Sequence, residues 1–393
     1  MSIAENEKVS FVQRLNDALT DELDGSNGRY RAPKELKSIN ADTDHAALAA
    51  FLTEYAKTPT TRRTYEKECE RLLLWAVLYL NKAMSSLNRD DFIAYIEFLE
   101  KPDEGWCGKK KLRGTPEWRP FTGALSDSAR LTAISSINSF FSWLVDAGYL
   151  AGNPLGIIRQ RRKDIIKKDE SSRKVNRYLD EVMWNAFKSA IEDLPRESKA
   201  DEYRYERAKF MAVIMIMLGP RVSELSAARM SSFYDDGSGW FWNTIGKGSK
   251  DGDVSAPPDM IEALMHWRQF LGLTPLPSVS DTVPLLPPID KSGKPDLMAD
   301  GITPRRINQI LDRLFESAAV KLKRNHPDKA EKILHASAHW GRHTSVTQKI
   351  KSGMDRDKVR QDARHSDMRT TNRYIHDEEE ARTREAKKHK LRW

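Results

Sequence analysis

A chain of 393 residues is too long for one ordinary hydrophobic core and long enough for two well-packed domains. The net charge of +8 favours a polyanionic partner, without by itself separating nucleic acid from a membrane surface or plain solubility. Two cysteines, Cys69 and Cys107, exclude a disulfide framework, and the longest apolar run, Phe210 to Leu218, is far short of a bilayer span. With no signal-peptide pattern in Met1 to Ser10, the expectation is a soluble cytoplasmic protein that makes no use of a membrane.

Residues 1–43 read as a polar N-terminal arm with one amphipathic patch, Phe11, Val12, Leu15, Leu19 and Leu23, that either docks or hangs free. Asp44 reads as the cap of a helix carrying Ala47, Leu48, Phe51, Leu52 and Tyr55, which stops at Thr58-Pro59. A second helix starts near Thr60 with Tyr65, Leu72, Leu73 and Trp75, and a third, capped by Asn88, carries Phe92, Ile93, Ile96 and Leu99. The fourth runs from Ser126 through Leu131, Ile134, Ile137, Phe140, Phe141 and Leu144 to Gly148. Four apolar helical stripes and no strand pattern predict a compact helical domain over residues 44–155.

Between the third and fourth helices, residues 102–123 read as a loop holding Trp106, Trp118, Lys109, Lys110, Lys111 and Arg113. Such a loop is either solvated surface or an arm that follows a phosphate backbone. Residues 156–177 read as a basic interdomain linker, with Arg159, Arg161, Arg162 and Lys163 as candidate DNA contacts.

The second domain is expected over residues 178–376. Its first helix carries Val182, Trp184, Ala186, Phe187 and Ile191, and its second ends in the apolar run broken by Leu218-Gly219-Pro220. A short helix from Arg221 leads to a strand marked by Trp240, Trp242 and Thr244, a turn at Gly246-Lys247-Gly248 and a return beginning at Val254. Helices over Met260 to Leu271 and Ile307 to Leu322 follow. The fold class is therefore mainly α with a small antiparallel β-sheet. Residues 377–393 form a C-terminal tail, acidic and then basic, with Leu391 and Trp393 as its large apolar groups.

The chemistry concentrates between His335 and His376. On a helix, the offsets of His339, Arg342 and His343 put the three side chains on one face, where they can converge on one anion. His365 and Tyr374 follow. Cations that hold non-bridging phosphate oxygens and a phenol that attacks phosphorus are the parts a phosphoryl transfer needs. The same His335, His339 and His343 also have the spacing of a zinc comb, although no HExxH glutamate and no nearby cysteine accompanies them.

Four motifs in order resemble those of the tyrosine recombinases, the class that includes phage and conjugative-element integrases. They are LGPRVSEL with Arg221 and Glu224, IGKGSK with Lys247, HWGRHT with His339 and Arg342, and RHSDMRTTNRY with His365 and Tyr374 nine residues apart. The resemblance extends over roughly Asp44 to His376, through TPTTRRTYEKECERLLLWA and SINSFFSWLVDAGYLAGNPL. The sequence departs from the family pattern at three positions: Arg364 replaces a common glycine, Gly341 a common leucine and Gly252 a frequent arginine.

The resemblance implies an N-terminal helical core-binding (SAM-like) domain followed by the recombinase catalytic domain. It implies a site-specific DNA recombinase or integrase that cleaves and rejoins duplex DNA through a 3′-phosphotyrosyl intermediate, with no metal, no ATP and no other cofactor. In it Arg221 and Arg342 hold the scissile phosphate, Tyr374 attacks, Lys247 protonates the leaving 5′ oxygen, His339 or a phosphate oxygen accepts the phenolic proton, His365 donates to a phosphate oxygen and Glu224 supports the site. Double-stranded recombination or attachment sites are the implied partner, with a homotetramer on DNA and accessory DNA-bending proteins. A type IB topoisomerase would use the same residues to relax one duplex rather than join two. A DNA-binding protein without catalysis would place no chemical demand on them.

Overall fold

The computed structural model describes residues 9–158, 177–245 and 251–364. The chain divides into two compact units, Met1–Val175 and Asn176–Trp393. The described residues are mainly helical, with one small sheet in the second unit. No helix among them is long and apolar enough to cross a membrane.

In the first unit, α1 (Phe11–Ala18) docks: Phe11 and Leu15 are buried in the same core as α2 (Asp44–Thr53), α3 (Pro59–Leu78), α4 (Arg89–Glu100) and α5 (Asp127–Asp146). Four of these five helices start where a side chain satisfies a free N–H of the first turn, and α3 starts instead at Pro59, which has no N–H to satisfy. Asn88 and Asp91 form a reciprocal capping box on α4, and Ser126 accepts from the Ala129 N–H at the start of α5. For α2 the cap is Thr43, which accepts from the Ala46 N–H, and not Asp44 as the sequence suggested. Asp44 is instead fully buried. Its carboxylate accepts from the Ser85 N–H at 2.9 Å, the Ser85 hydroxyl at 3.1 Å and the Tyr149 hydroxyl at 2.9 Å.

The loop at 102–123 divides its roles. Trp106 is buried, with its ring 5.0 Å from Phe11 and 5.5 Å from Phe98, both edge-on, so it belongs to the core and is not free to stack on a base. Lys109, Lys110 and Lys111 stay exposed. The linker candidates Arg159, Arg161, Arg162 and Lys163 lie outside the described residues.

The second unit packs α6 (Glu181–Glu192), α7 (Lys199–Met217), α8 (Val222–Ala227), α9 (Pro258–Phe270), α10 (Pro304–Leu322), α11 (Pro327–Leu334) and the start of α12 (Ala338–Lys351) around a second core, while α13 (Arg356–Asp362) packs Val359 with Val346 of α12 and Ala363 in a small separate cluster. The sheet has the order β1 (Phe233–Asp235), β2 (Trp240–Ile245), β3 (Asp251–Ser255), antiparallel throughout, with Trp242 opposite Val254 and Thr244 opposite Gly252. The return strand thus starts three residues before Val254. Strand β1 and helices α11 and α13 are additions to the sequence reading.

Candidate active site

The site is built where α7 ends. Leu218 caps the helix, Gly219 turns left-handed at φ +61°, and Pro220, which has no N–H to give, prevents continuation. Arg221 then stands at the N-cap of α8, with its side chain 38% exposed. Glu224 reaches back one turn and accepts the Arg221 N–H at 2.6 Å and Arg221 Nη1 at 2.7 Å.

Helix α12 lies against α7 and supplies His339, Arg342 and His343. The helix is unusually polar inside: Arg342, Thr344, Ser345 and Thr347 are all buried. Thr344 shows why, since its hydroxyl donates to the Trp340 carbonyl at 2.7 Å and accepts the Leu179 N–H at 2.9 Å, pinning the start of the unit to α12. Arg342 donates from Nη1 to the Gly219 carbonyl at 2.8 Å and from Nη2 to the Ala363 carbonyl. It therefore joins the turn before Arg221 to the end of α13, two residues before His365.

His339 is exposed at the surface of α12, and its ring meets that of His343 edge-on at 4.4 Å. Partial burial, then the charges of Arg342, Arg177 and Arg221, hold its pKa below the usual imidazole value. A neutral imidazole at pH 7 can accept a proton. The zinc comb does not form on one helix, because His335 closes α11 rather than joining α12. Among the described residues no three metal-binding side chains come together.

Glu224 also accepts Arg364 Nη2 at 2.7 Å, so one buried carboxylate serves two guanidiniums. Burial raises its pKa, but the Arg221 N–H and the charges of Arg364 and Arg221 outweigh that and leave it below the ordinary value. Among the sequence candidates, then, Arg221, Glu224, His339 and Arg342 come together. Lys247, His365 and Tyr374 lie outside the described residues.

Residues 188–381 match the family model described as the phage integrase family. Tyrosine recombinase XerC of Chlorobaculum tepidum is 25% identical over 307 residues, covering 73% of this chain and 82% of that protein. This chain belongs to the tyrosine recombinase family. XerC of Salmonella typhi is 26% identical over 245 residues, 62% of this chain and 67% of its own length. In fold, this tyrosine recombinase resembles the XerH site-specific recombinase in its post-cleavage complex with a palindromic difH substrate, with a TM-score of 0.57 at 14% identity over 96% of this chain and 92% of that one. It also resembles the Tn1549 transposon integrase in complex with transposon right end DNA, with a TM-score of 0.54 at 16% identity over 84% and 93%.

The three departures of this tyrosine recombinase from its family's sequence pattern have structural reasons. A Cβ on Gly341 would stand 2.4 Å from Met215 Cε and 3.3 Å from Met215 Cβ, so Met215 fills the space a larger residue would need. Arg364 has φ +51°, a backbone that glycine adopts without strain. A Cβ on Gly252 would stand 2.7 Å from Arg364 Cδ, so the second and third departures fit one another. The Arg364 side chain is only 10% exposed and ion-paired, so it does not merely cover the surface. Glycine at 252 was the available signal, but only the fold brings β3 beside the end of α13.

Proposed function

We propose that the chain is a site-specific recombinase that cuts and reseals double-stranded DNA with Tyr374 as nucleophile. The observation that carries this reading is Arg342 bonded to the Gly219 carbonyl two residues before Arg221, which fixes two guanidiniums in one neighbourhood. Planar forks of donors suit the equatorial oxygens of a phosphodiester under attack, and their charge offsets what builds there. The Tyr374 oxygen bonds to phosphorus as the 5′ oxygen leaves, and the phenolic proton passes to His339 or a phosphate oxygen. Lys247 protonates the departing 5′ oxygen, and His365 donates to a phosphate oxygen. Religation is the same step reversed, so the phosphotyrosyl ester conserves the energy of the broken bond without ATP or metal.

The relatives named tyrosine recombinase XerC, and the resemblance in fold to XerH bound to its difH substrate and to the Tn1549 integrase bound to transposon right end DNA, support duplex DNA as substrate. We extend the reading to a homotetramer joining two sites, with the 377–393 tail docking on a neighbour, accessory bending proteins assisting and the cytoplasm as the place of action. In this reading Arg159, Arg161, Arg162 and Lys163 contact the DNA backbone.

The test incubates the protein with DNA flanking its own gene and resolves the products on a denaturing gel. Wild type should give a covalent protein–DNA adduct that EDTA does not abolish, and Tyr374→Phe should bind the DNA but give none. An adduct of undiminished yield from Tyr374→Phe would move the nucleophile elsewhere. Loss with EDTA and rescue by zinc would restore the metal reading. Relaxation of one plasmid without joining of two sites would reassign the protein to the topoisomerase reading.

A further inference from the structure

Arg364 is a guanidinium beside the site that the proposed chemistry leaves without a task. Its side chain is nine-tenths buried, and Nη2 is bonded to Glu224 Oε2 at 2.7 Å. Nε and Nη1 are buried with no partner among the described residues. The guanidinium carbon lies 5.6 Å from the centre of the buried Trp242 ring, on β2. Its stem crosses Gly252 on β3 so closely that a Cβ there would meet Cδ at 2.7 Å and Cγ at 3.1 Å. The backbone itself is held left-handed at φ +51°. Burial also lowers its pKa, against the pull of Glu224.

Burying a cation with unmet donors and an unfavourable backbone is costly. The arrangement has one clear electrostatic result. Glu224 lies between the two guanidiniums: Oε2 accepts Arg364 Nη2 together with the Arg221 N–H, and Oε1 accepts Arg221 Nη1. With Arg342 the cluster holds three guanidiniums and one carboxylate, a net +2; without Arg364 it would hold +1, and the full charge of Glu224 would fall on Arg221.

We infer that Arg364 is a positioning residue for phosphate binding, which offsets the charge of Glu224 through Oε2 and so leaves the Arg221 guanidinium its charge for the scissile phosphate. Arg364 does not reach the DNA, since its free donors are buried. The inference rests on the recombinase reading and adds to it a residue that acts through another.

Arg364→Met keeps the unbranched stem over Gly252 and Trp242 and removes only the charge. Its single-turnover cleavage should fall about 10- to 100-fold, less than the loss expected for a donor that touches the reacting phosphate. Half-site affinity and melting temperature should stay near wild type. Arg364→Lys, which returns a charge to the same pocket, should recover most of the rate. The decisive variant is Glu224→Gln in the Arg364→Met background, which restores the net +2 and should raise cleavage above that of Arg364→Met alone. Wild-type cleavage by Arg364→Met would overturn the inference, as would a defect that neither Arg364→Lys nor the added Glu224→Gln relieves. If Arg364→Met is unstable, the comparison between Arg364→Lys and wild type decides by the same measure: a near-wild-type rate supports the inference and a rate as low as that of Arg221→Ala overturns it. A wild-type protein that forms no adduct overturns the recombinase reading itself, an outcome distinct from an active wild type with an indifferent Arg364→Met.

Discussion

Arg342 and Gly219 hold each other in place: Nη1 of the arginine donates to the glycine carbonyl at 2.8 Å, while a Cβ on the glycine would fall 3.5 Å from Arg342 Cα and 3.0 Å from Ser345 Cβ. The bare backbone of Gly219 lets α12 approach the end of α7, and that approach brings Arg342 beside Arg221. Gly219→Ala faces both a left-handed φ of +61° and this crowding. It should cost about 1–3 kcal/mol of stability. Cleavage under conditions where the variant is still folded should fall further than its folded fraction, because the two arginines move apart. Urea melts and single-turnover rates on the same preparation make the comparison; rates that follow the folded fraction alone would contradict it.

Trp106 gives a contrasting prediction, since its ring belongs to a core and its loop looked like a DNA arm. Trp106→Ala should destabilise the first unit by about 3–5 kcal/mol, as for other buried aromatics truncated to alanine. The salt dependence of DNA binding by the folded protein should be unchanged, because no phosphate contact is lost. A flattened slope of log affinity against log salt, with stability intact, would return Trp106 to the DNA.

Asp44 makes the first unit sensitive to pH. Burial raises its carboxyl from 3.8 to about 6, with the bonds from Ser85 and Tyr149 and the charge of Arg31 opposing. The folded protein therefore holds this proton more tightly than the unfolded chain does. The stability it contributes is fully present below the unfolded value and is lost as pH rises through about 6. Asp44→Asn cannot titrate, so the difference in urea midpoint between wild type and variant should shift against wild type as pH rises across that window. Parallel curves from acid to neutral pH would show that Asp44 does not titrate there.

Lys247 is distinguished from the arginines by the leaving group. If it protonates the 5′ oxygen, Lys247→Ala should lose about 10²- to 10⁴-fold in cleavage, the usual worth of one acid. A substrate with sulfur at the scissile 5′ position needs no proton to leave and should be cut by Lys247→Ala at close to the wild-type rate. Arg342→Ala removes stabilisation that both substrates share and should stay defective on both. Equal rescue of the two variants would make Lys247 another phosphate-holding charge.

Helices with a strong apolar period and a capping residue were legible in the sequence, as α4 with Asn88 and α5 with Ser126 illustrate. What escaped has identifiable causes. Strand β1 is three residues long, too short to show a period, and α13 buries only Val359. Asp44 carries the residue type of a cap, but Thr43 lies one position nearer the extended backbone that a cap requires, and the carboxylate found partners far away in sequence at Ser85 and Tyr149. At the site, Arg221, Glu224, His339 and Arg342 could be picked out from motif order. The fit of Arg364 to Gly252 could not, because it depends on β3 and the end of α13 being neighbours, and no local spacing encodes that.

If Arg342 holds the scissile phosphate as proposed, its bond from Nη2 to the Ala363 carbonyl makes substrate and protein rivals for the same donor. A phosphate that takes up Nη2 releases the backbone immediately before Arg364 and His365; a phosphate that leaves the bond intact is held by fewer donors. By reciprocity, whatever draws that backbone away from α12 frees the guanidinium and tightens its hold on DNA by the same free energy. Occupancy of the site and release of the Ala363 carbonyl are thus two readings of one equilibrium. Amide exchange at Arg364 that quickens on binding DNA would register it.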